Sequence, residues 1–192
     1  FPLSMPGIIS GVTMVFIPST TTFAISQLLG GGQTMLYGDL IYMKFITEQS
    51  WNAGSALSIA KECDVPLVGI YDMISFWEGD AGVKGIGFNK GGTVDLAGAK
   101  VTMVNASHSS SISGAQGPIY AGGEAGYMIA GEGHVIYVSG DTDIMADMGW
   151  MGEYHRPDIG ILSAGGHFTM DMARAAWAAR KYFDFKVVIP RH

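Results

Sequence analysis

The stretch AGYMIAGEGHVIYVSGDTD, residues 125–143, decides the fold. Strand-forming runs over 125–130 and 135–139 flank Gly131-Glu132-Gly133, which predicts two antiparallel strands joined by a tight turn. The second run closes on Ser139-Gly140-Asp141, so a carboxylate stands where strand gives way to loop. Two other apolar runs end in the same way: VTMVNASHSSS (101–111) reaches His108, and VVIPRH (187–192) reaches His192. Strands fanning out of one sheet bring their carboxyl ends to a common edge, so side chains distant in sequence can meet there.

Outward from this stretch the chain keeps an α/β rhythm. Residues 64–70 end in a short strand, a helix follows from Tyr71 towards Trp77, and 83–88 reads as a strand. Runs at 93–96 and 100–105 alternate as a hairpin around Ala97-Gly98. A helix is expected over 144–154, a strand over 158–162, and a strand over 186–189. Between them, 173–182 reads as an Ala-rich helix with Trp177 on its packing side. Hairpins followed by β-α-β units predict mixed sheets covered by helices.

Composition narrows the function. The chain has 192 residues, enough for an ordinary domain, with 11 Lys+Arg against 17 Asp+Glu and a net charge of −6. Phosphate backbones need concentrated positive charge, so nucleic acid is excluded as the expected partner. The single cysteine, Cys63, cannot form an internal disulfide, which points to a reducing compartment; it is expected as a small packed thiol at a helix end. The chain opens on Phe1 rather than Met, without a signal peptide, as if cut from something longer.

Charge is unevenly spread. Residues 1–60 carry three charged side chains, Asp39, Lys44 and Glu48, while the other 25 follow from Lys61. Such a step marks a domain boundary or a membrane–water transition. Residues 7–29 hold no charge over a length that could span a bilayer, although Pro18 and the polar cluster at 19–22 interrupt it. A buried helix of a soluble protein is the other reading. The stretches FPLSMPGIISG (1–11), VFIPSTTTFAISQLLGGGQTMLYGDLI (15–41) and WNAGSALS (51–58) resemble an ABC-transporter permease of the spermidine/putrescine type. That resemblance implies a mostly helical transmembrane fragment over 1–59, placed in the plasma membrane.

The three run-ending residues are donors of the kind a hydrolytic metal site needs: imidazole nitrogen and carboxylate oxygen, rigidly held, with a position open for water. Singly each is ordinary, since a Gly-Asp-Thr turn or a histidine after a strand has many structural uses. Their surroundings are more specific. GGTVDLAGAKVTMVNASHSSS (91–111), GPIYAGGEAGYMIAGEGHVIYVSGDTD (117–143), PDIGILSAGGHFTMDMARAA (157–176) and KVVIPRH (186–192) resemble, in order and spacing, the metallo-β-lactamase superfamily, and more narrowly its UPF0173-type metal-dependent hydrolases.

That resemblance implies a partial αββα sandwich over 60–192 and a cytoplasmic hydrolase with a small-molecule substrate. A metal-activated hydroxide would attack an ester, phosphodiester or amide-type bond. Two divalent metals are implied in an intact homologue, zinc first, with manganese or iron as alternatives. His108 and His192 would be metal ligands and Asp141 the bridging, catalytic carboxylate. His167, in GGHFTM, would contact substrate or leaving group, or serve structure only. Ser109, Ser110 and Ser111 would position His108 by hydrogen bonds. His134 and His155 are expected in solvent.

One departure bears on activity: the family's H-x-H-x-D-H motif does not occur in this sequence. The permease resemblance stops where the hydrolase resemblance starts, as in a gene fusion or an assembly artefact. The expectation is therefore a truncated hydrolase with impaired metal binding, its sheet edge exposed at a cost of several kcal/mol at ~25 cal/mol per Å².

Overall fold

The computed structural model describes residues 51–114 and 116–191. The chain divides into two compact units, whose described parts are 51–67 with 77–84, and 68–76 with 85–191. The first contains helix α1 (Trp51–Glu62) and buries Leu57, Ala60, Trp77 and Val83. Asp64 pairs there with Lys84 at 2.7 Å. Cys63 follows α1 at its end, as expected, yet it is exposed rather than packed, just before Asp64 takes a left-handed φ of 51°.

The second unit is built on a six-stranded mixed sheet in the order β10-β9-β8-β7-β4-β3. Its strands are β3 (Thr93–Leu96), β4 (Ala99–Asn105), β7 (Ala125–Gly131), β8 (His134–Val138), β9 (Ile159–Ser163) and β10 (Val187–Arg191). Outside it, β1 (Leu67–Ile70) pairs with β2 (Gly85–Phe88), with α2 (Tyr71–Ala81) between them in sequence. Both predicted hairpins are present: Thr93 stands opposite Thr102, and Tyr127 opposite Val138. Their two-residue turns, Ala97-Gly98 and Glu132-Gly133, hold positive φ at both positions, the geometry that matches strand twist. A third hairpin, β5 (Ser111–Gly114) with β6 (Gly117–Tyr120), was not foreseen; its polar, Gly- and Pro-containing residues lack apolar alternation.

Helices α3 (Asp147–His155) and α4 (Met172–Tyr182) cover one face of the sheet. Val104, Met128, Tyr137 and Leu162 project from consecutive strands into a core closed by Met148, Met151, Met170, Ala175, Ala178 and Ala179. Burying these side chains stabilises the unit by roughly 1.5–3 kcal/mol for each large one. Asp171 caps α4 by accepting from the Arg174 N–H at 2.8 Å, and Arg156 ends α3 in the left-handed region, donating to the Gly152 carbonyl.

The expected packing side of α4 is corrected. Ala175, Ala178 and Ala179 form the buried stripe, whereas Trp177 is 52% exposed, half a helical turn away. Small side chains let the helix approach the sheet closely; the indole does not fit beneath it. The opposite sheet face carries Val101, Tyr127, Ile129, Ile136, Val138 and Ile161, all half-buried. No helix among the described residues is long and apolar enough to cross a membrane. The stretch expected to span one, 7–29, lies outside the described residues, as does nearly all of the permease-like part; of the latter, 51–59 belong to α1.

Candidate functional site

Strand direction builds the site. β8, β9 and β10 are mutually parallel, and β4 runs with them because β7 lies antiparallel to both β4 and β8. Four strands therefore end at one edge of the sheet. His108 follows β4 by three residues, Asp141 follows β8 by three, and His167 follows β9 by four. His192, the residue after β10, lies outside the described residues.

The loops at this edge are tied by hydrogen bonds around Thr142, a fully buried side chain. Its Oγ1 accepts from the Ser107 N–H at 2.9 Å, and the Asp143 N–H donates to the Ser107 carbonyl at 3.0 Å. The Thr142 carbonyl accepts from the Met170 N–H at 3.2 Å and from the Ser163 hydroxyl at 3.3 Å. The loops that carry His108, Asp141 and His167 are thus held to one another through Thr142 and its neighbour Asp143. The sequence signal for Thr142 is only its place in an ordinary Gly-Asp-Thr turn, which does not reveal this role.

Half-buried His108 sets Nδ1 2.8 Å from the Ser109 carbonyl and Nε2 3.1 Å from the Phe168 carbonyl. A carbonyl only accepts, so a neutral ring donates to one of the two. Orientation comes from the Ser109 main chain, not from the expected serine hydroxyls. Asp141 accepts from Arg191 Nη2 at 2.7 Å, with both side chains partly exposed. His167 is exposed, its ring edge-on to Phe168 at 4.4 Å. Gly166 (φ 88°) turns the chain there, and its N–H donates to the Met170 carbonyl.

The other two histidines are not simply solvated. His134 opens β8 and holds Asp158 through Nδ1 at 2.7 Å. His155 is half-buried beside Trp150 and Tyr154, and burial pushes its pKa down. The Asp158 carboxyl is drawn down to about 2, first by the His134 hydrogen bond and then by the Val135 N–H.

Among the described residues no three His, Cys, Asp or Glu side chains gather closely enough to hold a metal ion. Two donors of suitable chemistry share the edge, the His108 imidazole and the Asp141 carboxylate. The second already pairs with a positive charge, the Arg191 guanidinium at 2.7 Å.

Residues 68–192 match the family model described as the beta-lactamase superfamily domain, and the chain belongs to that family. The chain is 77% identical over 141 residues to a UPF0173 metal-dependent hydrolase of Paracoccus denitrificans, covering 73% of this chain and 61% of that protein. It is 72% identical over 141 residues to one of Cereibacter sphaeroides, with the same coverage of 73% and 61%. Among solved structures it resembles Igni18, a metallo hydrolase of the archaeon Ignicoccus hospitalis, at 32% identity and a TM-score of 0.62, over 72% of this chain and 57% of that one. The chain thus spans about 61% of the length of the curated relatives it matches.

Proposed function

We infer that this chain carries the C-terminal part of a metal-dependent hydrolase that cleaves an ester, phosphodiester or amide-type bond of a small molecule. The observation behind this reading is the shared strand edge, where Thr142 locks the loops of His108 and Asp141 together. His108, Asp141 and His192 are the residues that would hold divalent metal. When bound, such an ion supplies Lewis acidity and makes water nucleophilic near neutral pH.

The remaining roles belong to the chain's own groups. In the tautomer that gives the Nδ1 proton to the Ser109 carbonyl, Nε2 is the nitrogen that would bind metal, in place of its 3.1 Å approach to the Phe168 carbonyl. Asp141 contributes negative charge that offsets a cation. His167 stands on the exposed loop at the same edge, where it can donate a proton to a substrate or leaving group.

Metal binding by this chain is expected to be weak, because H-x-H-x-D-H does not occur in the sequence. The test is zinc and manganese stoichiometry on the purified chain, with His108→Ala and Asp141→Asn alongside. Binding that weakens in both variants supports the ligand set. Two metals retained through dialysis would overturn the impaired reading, and binding indifferent to both substitutions would move the site elsewhere.

A further inference from the structure

We propose that Lys90 is an anion seat at this edge, and that the substrate it receives carries a negatively charged oxygen group, phosphoryl or carboxylate. The inference rests on the reading above only for the edge that substrate approaches. Two cations reaching the loops of this edge are already matched, Arg191 by Asp141 and Arg174 by Asp143. Lys90 differs. Its Nζ donates at 2.8 Å to Asn105 Oδ1, the oxygen of a neutral amide, and it makes no ion pair among the described residues.

Asn105 is the last residue of β4, three positions before His108. Its Nδ2 donates at 2.7 Å to Asp147 Oδ2, in the first turn of α3. One amide orientation satisfies both neighbours, nitrogen to the carboxylate and oxygen to the ammonium. The Asp147 carboxylate thus reaches Lys90 only through the amide, and it stands at a helix start, where the backbone itself favours negative charge. A Cβ on Gly123 would lie 3.3 Å from Lys90 Nζ, so the chain keeps a bare backbone beside the ammonium. The Asp72 carboxylate stands against Gly122 instead.

An ammonium has three donors and Asn105 takes one, which leaves two on an exposed group for a ligand oxygen. A strut between the β2–β3 loop and β4 needs a donor but no charge. A full positive charge unmatched by an acid is what an anionic substrate uses. In a chain of net charge −6, whose field repels anions, a local cation is the feature able to hold one.

The full chain is titrated with inorganic phosphate and, separately, with acetate in metal-free buffer, and followed by amide and lysine side-chain NMR signals. Shifts should gather at Lys90, Asn105 and Gly123. Lys90→Met should weaken binding about tenfold, and Lys90→Arg should keep it within about threefold. Lys100→Met removes an equal charge from an exposed position on β4 and should stay within about twofold of the parent. Either anion released by Lys90→Met supports the seat, phosphate naming a phosphoryl group and acetate a carboxylate. Binding unchanged in Lys90→Met, or weakened equally by Lys100→Met, overturns the inference. So does a Lys90 signal that neither anion moves, which decides the matter on the unmodified chain should Lys90→Met fail to fold. The titration contains no metal, so a failed zinc test refutes the metal-site reading without touching this one.

Discussion

Replacing Gly140 by alanine should damage the edge through both strain and a clash. Gly140 joins β8 to Asp141 with φ at 64°, a left-handed conformation costing about 1–2 kcal/mol for a residue with a Cβ. The added Cβ would also press into the Ala125 carbonyl oxygen, with the Gly126 Cα 3.9 Å away. These are backbone atoms of β7, so no rotamer change relieves the overlap, and overpacking of this kind costs about 1–3 kcal/mol. Together the two effects remove roughly 3 kcal/mol from a domain that has about 5–15 kcal/mol in hand. At about 3 °C per kcal/mol, the thermal midpoint should fall by about 10 °C. Gly98→Ala isolates the clash, because Gly98 also has positive φ (96°) but nothing lies within 4 Å of the added carbon. Circular dichroism melts of both variants give the comparison, and amide exchange at Ser107 and Asp143 reports whether the Thr142 links loosen. If Gly140→Ala melts within about 2 °C of Gly98→Ala, the close approach of β7 has no energetic weight and the reasoning fails.

Tyr137 is fully buried, stacked on Phe183 at 5.2 Å, and its hydroxyl has no hydrogen-bond partner among the described residues. Tyr137→Phe should therefore leave stability unchanged or raise it by about 1 kcal/mol in urea unfolding; a loss of that size would reveal a hidden partner. Asp158 supplies a pH test. Its folded carboxyl lies at about 2 against an ordinary 3.8, so its contribution is fully present above pH 4 and disappears as pH falls towards 2. Asp158→Asn should flatten the stability–pH curve between those limits, and an unchanged slope there would sink the assignment.

How far the sheet could be read in advance follows from the strength of local signals. The β3–β4 and β7–β8 hairpins combine apolar strands with turns whose second residue is Gly98 or Gly133, both at positive φ, so pattern and turn chemistry agree. The β5–β6 hairpin has neither signal: Pro118 and the flanking glycines say loop, yet the two segments pair with Ile112 opposite Ile119 in register. Trp177 misled for a different reason. Size suggested burial, but packing α4 on the sheet rewards the smallest side chains, and the stripe of Ala175, Ala178 and Ala179 wins.

The edge itself divides in the same way. Run-ending residues fixed which side chains stand beyond β4 and β8, since strand direction alone carries them to one rim. What binds that rim together could not be read, because its hub is a threonine whose distant partners, the Ser163 hydroxyl apart, are the main-chain N–H groups of Ser107 and Met170, 35 and 28 positions away. Backbone donors carry no residue signature. Arg191 was missed for the opposite reason: it is a conspicuous charge, yet nothing local pairs it with Asp141, 50 positions earlier. Only the parallel register of β8, β9 and β10 brings the end of β10 to the rim that carries Asp141. That register therefore couples the two ends, and the charge balance of this edge cannot be altered at Asp141 or Arg191 without changing the other's environment.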